Sequence, residues 1–282
     1  VTLSSDSGQA PQWGDSYRLI AAEKWRAKSA QMGKEVTAEL VRLANPAPGE
    51  KVLDVATGTG EPAISLAGAV GPNGHVTALD LSKELLALAS QRAQARGLTN
   101  FTVQQGDAHQ LPFADGSFDL VTCRFGVMFF ADLPKALREL HRVLRPGGRA
   151  CFAAWGRFEQ PYWQSTMGVV HRHVGGPLLA EGAENMFLFG DPGTLSAALK
   201  SAGFNTADEQ LQTLPWGWAG PVEEVWEYAQ SMSTPFKALL QRIPAGRKQQ
   251  IEDEVCRAIG EFARGDRVDF SVQVVMAVAR RK

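Results

Sequence analysis

Three carboxylates and a pair of glycines stand at spacings that suit a nucleoside ligand. Asp54 closes the apolar run "VLD", just before the turn "TGTG" that contains Thr57, Gly58 and Gly60. Asp80 ends "HVTALD", and Asp107 follows "FTVQQG". Glycines here let the backbone turn sharply and approach a ligand closely. The helix that must follow offers free N–H groups to an anion, either a dinucleotide pyrophosphate or the carboxylate of an amino-acid-like cofactor. The acids narrow that choice. Asp80 can accept from both ribose hydroxyls, although the acid of an NAD enzyme does the same. Asp54 would repel a pyrophosphate and suits a cationic or zwitterionic ligand instead. Asp107 can accept from an exocyclic adenine amine, with the backbone N–H of Ala108 donating to a ring nitrogen. The ligand so outlined carries adenosine at one end and positive charge at the other.

These groups need a scaffold that collects strand ends on one edge. Residues 51–155 supply an alternation of short β-rich and helical runs. "KVLDVA", "GHVTALD", "FTVQQGD", "SFDLVTCRF" and "RACFAAW" read as five strands. Between them, "EPAISLAGAV" reads as a helix begun at Pro62, and Ser82 as the N-cap of "KELLALASQRAQARG" with Gly97 as its stop. "LPKALRELHRVLRPGG" is the helix before the fifth strand. The expectation is an α/β doubly wound, Rossmann-like sheet with helices on both faces, binding its ligand outside the strands' carboxyl ends. Residues 1–50 read as an N-terminal helical segment and 51–155 as the cofactor-binding core. Residues 156–282 read as the rest of the sheet, within the same domain. There, strands near residues 207–216 and at "FSVQVVMAVARR" are interrupted by helical insertions at about 156–190 and 221–265. All seven Trp and all three Tyr lie outside residues 51–150, so accessory helices and any pocket over the carboxyl edge carry the rings.

S-adenosyl-L-methionine has the required shape and charge. "VLDVATGTG", "TALDLS", "GDAHQLPF", "FDLVTCRFG" and "HRVLRPGG" follow one another in the order and spacing of class I S-adenosylmethionine-dependent methyltransferases, which this chain resembles from about residue 49 to 155. The "ATGTG" form and the "FG" after strand four are most similar to the ubiquinone/menaquinone-biosynthesis group. The N-terminal signature of the quinone enzymes is not evident, so their substrate is not carried over. The resemblance implies a seven-stranded sheet whose last strand is antiparallel. It also implies that Ala56, Thr57 and Gly58 run beside the methionine part of the cofactor. Asp80 would take the ribose, Leu81 would face the adenine, and Asp107 with Ala108 would hold the adenine edge. The backbone at Cys123 and Arg124 would meet the methionine amine.

Methyl transfer from a sulfonium needs positioning and desolvation, and an acidic acceptor can also need a base. Some relatives carry histidines after strand four, where this chain reads "GVMFFAD", so no catalytic base is assigned. His109, Arg124 and His171 are the weak candidates. His173, two residues beyond His171 in "HRH", points elsewhere on a helix, and His75 and His141 read as structural. The expected acceptor is a small, largely apolar molecule, C- or O-methylated. Net charge of −1 and the lack of an Asn/Asp-Pro-Pro-aromatic motif argue against nucleic acid. Cys123, Cys151 and Cys256 suggest neither a disulfide framework nor a metal site. No membrane span and no signal peptide are legible, and the expected compartment is cytoplasmic. Oligomeric state is not readable. The rival readings are an S-adenosylmethionine-binding enzyme that transfers no methyl, such as a cyclase or isomerase, an NAD(P) oxidoreductase disfavoured by Asp54 and Asp107, and a non-catalytic binding subunit.

Overall fold

The structure, a computed structural model, describes residues 25–232 and 234–282. Strand β1 (Lys51–Val55) is buried on both faces from Val52 onward, as a central strand covered on both sides is. It pairs in parallel with β2 (His75–Asp80) and β4 (Phe118–Arg124). β3 (Phe101–Gln105) extends the sheet beyond β2, and β5 (Leu144–Trp155) lies beyond β4. The chain then completes the sheet with β6 (Thr206–Ala219), the two-residue β7 (Ala263–Arg264) and β8 (Arg267–Arg280). Strand order is β3–β2–β1–β4–β5–β8–β6, with β7 paired to β8, and β8 runs antiparallel to β5 and to β6. This is the class I methyltransferase arrangement implied by the resemblance.

Local chemistry sets the crossover helices. Helix α1 (Arg26–Met32) and helix α2 (Lys34–Ala44) lie in the N-terminal segment, whose residues 1–24 fall outside the described residues. Helix α3 (Ala63–Val70) follows the glycine turn. Helix α4 (Lys83–Ala95) is capped by Ser82, whose hydroxyl accepts from the Leu85 amide at 3.2 Å, and Gly97 (φ 68°) ends that segment. Helix α5 (Leu133–Val143) is capped by Asp132, which accepts from the Lys135 amide at 3.0 Å. It stops before "LRPGG", because Leu144 already pairs with Phe118 as the start of β5.

A further departure from expectation is the length of β6 and β8. Beyond the end of β5 they stay paired from Thr213–Gln273 to Ala219–Arg267, forming an arm past the carboxyl edge with β7 paired to its tip. The alternation of buried Trp216 and Trp218, facing buried Phe270 and Val268, keeps one face of this arm apolar. The first insertion contributes α6 (Pro161–Ser165), α7 (Met167–Val174) and then α8 (Thr194–Ser201) just beyond it. The second contributes α9 (Val222–Met232), α10 (Lys237–Gln241) and α11 (Lys248–Gly260). Helix α11 packs against α6, α7 and α9, so the two insertions form one layer, while α1 packs on β6. No helix among the described residues is long and apolar enough to cross a membrane.

Candidate functional site

The carboxyl ends of β1, β2 and β4 meet at the switch point of the sheet. Asp54 lies opposite Thr122 of β4 and Ala78 of β2 in register, and it is fully buried. Its Oδ1 accepts from the Thr122 hydroxyl at 2.6 Å, while Oδ2 is buried without a hydrogen-bond partner among the described residues. Burial pushes this carboxyl up to about 6, against the acidifying pull of the Thr122 hydroxyl, the nearby Thr57 hydroxyl and Arg124. The Thr57 hydroxyl is close but outside bonding geometry, and is itself buried and unpartnered. A buried carboxylate oxygen with nothing to accept from is costly unless a ligand supplies a donor.

The turn after Asp54 is held in an unusual conformation. Ala56 adopts φ 55°, Gly58 φ 56° and Gly60 φ 103°. Across the gap, Phe125 after β4 also adopts a left-handed φ of 58°. Such residues cost of order 1–2 kcal/mol each where they are not glycine, and persist only where surrounding structure imposes them. Gly126 explains part of the constraint: a Cβ there would lie 2.5 Å from the Ala56 Cβ and 2.9 Å from Cys123 Sγ. Gly60 is equally confined, since a Cβ would lie 2.8 Å from Ile64 Cδ1. Gly58 differs, because nothing lies within 4 Å of where its Cβ would be. An open face therefore remains at Gly58, in the turn that follows Asp54.

Asp80 anchors the same turn. Its Oδ2 accepts from the Gly58 amide at 2.8 Å and its Oδ1 from the Ser82 amide at 3.0 Å. Each oxygen retains a second lone pair, so it can still accept from a hydroxyl. Leu81 beside it is exposed, an apolar side chain without a protein partner face. Asp107 is further along the edge, with Ala108 buried next to it. The Asp107 carboxylate accepts from the His109 amide at 2.9 Å and meets His109 Nδ1 at 2.5 Å. His109 Nε2 accepts from the Asp132 amide at 3.1 Å, which fixes the proton on Nδ1. The histidine is therefore a strut between β3 and α5, with both ring nitrogens engaged.

Arg124 points to the other side of the edge. Its Nη1 donates to the Thr37 hydroxyl at 2.8 Å and to the Gly33 carbonyl at 3.4 Å, both in the N-terminal helices. Its Nε is buried without a partner, and burial draws the guanidinium below its ordinary range. Around it stand rings from four parts of the chain. Phe125 stacks on Trp155 with centroids 4.4 Å apart, and Trp155 meets Trp216 at 5.1 Å and Trp163 at 5.3 Å edge-on. Tyr162 reaches Trp163 at 4.7 Å and Trp216 at 6.3 Å. Tyr228 of α9 lies close enough for its phenol to feel Arg124.

Other sequence candidates sit elsewhere. His171 bonds the Gly176 carbonyl at 2.8 Å within its own insertion. His173 bonds Glu254 and accepts from Arg247, each at 2.8 Å, and so ties α7 to the second insertion. His75 bonds Thr102 across β2 and β3, and His141 packs on Phe204. Cys123 is buried and supplies packing beneath the turn. Thr122, Thr37, Tyr162 and Tyr228 were not singled out from sequence. Only strand register brings Thr122 to Asp54, and only tertiary packing brings Thr37 and Tyr228 to Arg124. A surface hollow lined by Gly190, Pro192 and Ala207–Leu211 lies at the opposite, amino-terminal part of β6, away from this chemistry.

Comparison with known proteins agrees with this fold. Residues 28–215 match the model of the ubiE/COQ5 methyltransferase family. The demethylmenaquinone methyltransferase of Geobacillus kaustophilus is 46% identical over 110 residues, 39% of this chain and 47% of that protein. That of Listeria monocytogenes serotype 4b is 37% identical over 136 residues, 48% of this chain and 57% of that protein. The chain spans about half the length of the curated relatives it matches. Among solved structures, a putative methyltransferase from Bacillus halodurans superposes with TM-score 0.57 at 23% identity, over 87% of this chain and 98% of that one. The [4+2]-cyclase SpnF superposes with TM-score 0.52 at 20% identity, over 87% and 79%. These two likenesses bear on the fold alone.

Proposed function

The chain belongs to the ubiE/COQ5 methyltransferase family, whose enzymes use S-adenosyl-L-methionine, and from that premise we propose that it methylates a small, largely apolar acceptor. The observation that carries this reading is the orphaned Asp54 oxygen at the end of β1, together with the open space at Gly58 and the Asp80 carboxylate that holds the Gly58 amide. The bound cofactor supplies the electrophilic methyl group. Asp54 places negative charge beside its ammonium, while the backbone of Ala56, Thr57, Gly58 and Gly60 follows the methionine chain. Asp80 accepts from the ribose hydroxyls, Leu81 covers the adenine, and Asp107 with the Ala108 amide reads the adenine edge. The backbone at Cys123 and Arg124 closes the amine end. The rings from Phe125 to Trp216 exclude water from the transfer, which relies on positioning more than on proton removal.

The substrate class of the demethylmenaquinone methyltransferases makes hydroxylated naphthalenes sensible first acceptors. Incubation with methyl-labelled S-adenosyl-L-methionine and a panel of phenols, enols and naphthoquinols should place label in an extractable product. A second reading, in which the cofactor is bound and no methyl leaves it, is favoured by one observation. Both nitrogens of His109, the histidine at the adenine edge, are already engaged. Tight cofactor binding with no labelled product from any acceptor would support it.

A further inference from the structure

Arg124 makes no ion pair among the described residues. It is desolvated, its Nη1 is committed to Thr37 and Gly33, and its Nε is buried with nothing to donate to among the described residues. The charged groups it feels, Asp54 and Glu61, make no direct ion pair with it. A buried N–H left unmet costs free energy that natural sites rarely carry without a reason. Mutual packing around the guanidinium is planar and apolar: Phe125 lies under it at 5.9 Å, itself stacked on Trp155 with Trp216 edge-on at 6.3 Å.

Resting on the proposed methyl transfer, we infer that Arg124 binds the oxygen of a planar aromatic or enolic hydroxyl compound in its ionised form. The Nε edge of the guanidinium grips the oxyanion, and the rings of Phe125, Trp155 and Trp216 hold the flat body. The hydroxyl proton goes to bulk water before the acceptor is enclosed, so the site needs no base. Loss of that proton makes the ring and its oxygen electron-rich, which is the state a sulfonium methyl requires. Thr37 acts as a positioning residue, orienting the guanidinium from α2.

The test uses the whole chain saturated with S-adenosylhomocysteine and titrated with 4-nitro-1-naphthol, whose anion is coloured. Wild type should bind the anion preferentially and lower the apparent ionisation pH of the bound probe. Arg124→Gln should abolish that shift and weaken anion binding about ten- to a hundred-fold, as loss of a charged hydrogen bond does. Arg124→Lys should restore part of it. S-adenosylhomocysteine affinity is measured in parallel by calorimetry, and any change in it should be smaller than the change in naphtholate affinity. Unchanged naphtholate binding in folded Arg124→Gln would overturn the inference, as would a failure of wild type to bind the probe. A loss confined to S-adenosylhomocysteine would assign Arg124 to the cofactor instead. Tighter, Arg124-dependent binding of 1-naphthoate would replace the hydroxyl by a carboxylate. Should wild type fail to bind S-adenosylhomocysteine at all, the cofactor reading itself falls, separately from this one.

Discussion

The Gly58 amide donates to Asp80 Oδ2 at 2.8 Å, so the carboxylate proposed to hold the ribose also holds the glycine turn in place. One side chain thereby serves the cradle twice, once through its own lone pairs and once through the backbone it pins. Asp80→Ala removes both effects. Binding of S-adenosyl-L-methionine and S-adenosylhomocysteine should weaken at least ten- to a hundred-fold by roughly the strength of one charged hydrogen bond. Asp80→Asn can still accept from Gly58 and should lose less. Calorimetric titration of both variants checks the order.

Asp54 makes stability and cofactor affinity depend on pH in opposite senses. Its folded carboxyl ionises near 6, above the ordinary 3.8, because burial disfavours the charge. Between those values the native state holds a proton that the unfolded chain has released, so stability should fall as pH rises from about 4 to 6. The shift is about two units, worth on the order of 3 kcal/mol at most. Asp54→Asn should flatten this slope in urea unfolding. A cationic ligand favours the ionised form, so S-adenosyl-L-methionine should bind about tenfold more weakly at pH 5 than at pH 7. The variant should show weak binding with no such dependence.

His109→Ala should behave as the loss of a strut. The Asp132 amide at the start of α5 loses its acceptor and Asp107 loses a donor, at a cost of about 1 kcal/mol and a lower melting temperature. Methyl transfer, once an acceptor is in hand, should survive within about tenfold, short of the loss a general base would cause. A thousand-fold fall with intact cofactor affinity would identify His109 as the base.

Lys28 pairs with Glu224, and Glu224 accepts from the Trp218 indole at 3.1 Å, fastening α1 to the first helix of the second insertion. Exposed pairs of this kind contribute about 1 kcal/mol or less. Hydrogen exchange in α1 and α9 should therefore quicken by roughly up to fivefold in Glu224→Ala. Cofactor together with a bound naphthol should slow exchange in the same helices if these elements cover the site.

The core of this architecture was legible because strands and helices alternate, and because Ser82, Gly97 and the glycine turn mark their boundaries. Asp54, Asp80 and Asp107 were legible because each ends a strand. What pairs with them was not. Thr122 reaches Asp54 through the register of two strands 68 residues apart, and Thr37 reaches Arg124 across 87. The arm of β6 and β8 was read short, although the alternation of Trp216 with Trp218 and of Val268 with Phe270 carried its signal. Gly217 and the turn residues near Gly265 obscured it.

The most direct test of the account is a calorimetric titration of the chain with S-adenosylhomocysteine and, separately, with NADH. The account predicts one saturable site for S-adenosylhomocysteine, weakened by Asp80→Ala and by Asp54→Asn, and no binding of NADH at that site. Saturable NADH binding lost in Asp80→Ala, with S-adenosylhomocysteine silent, would contradict it.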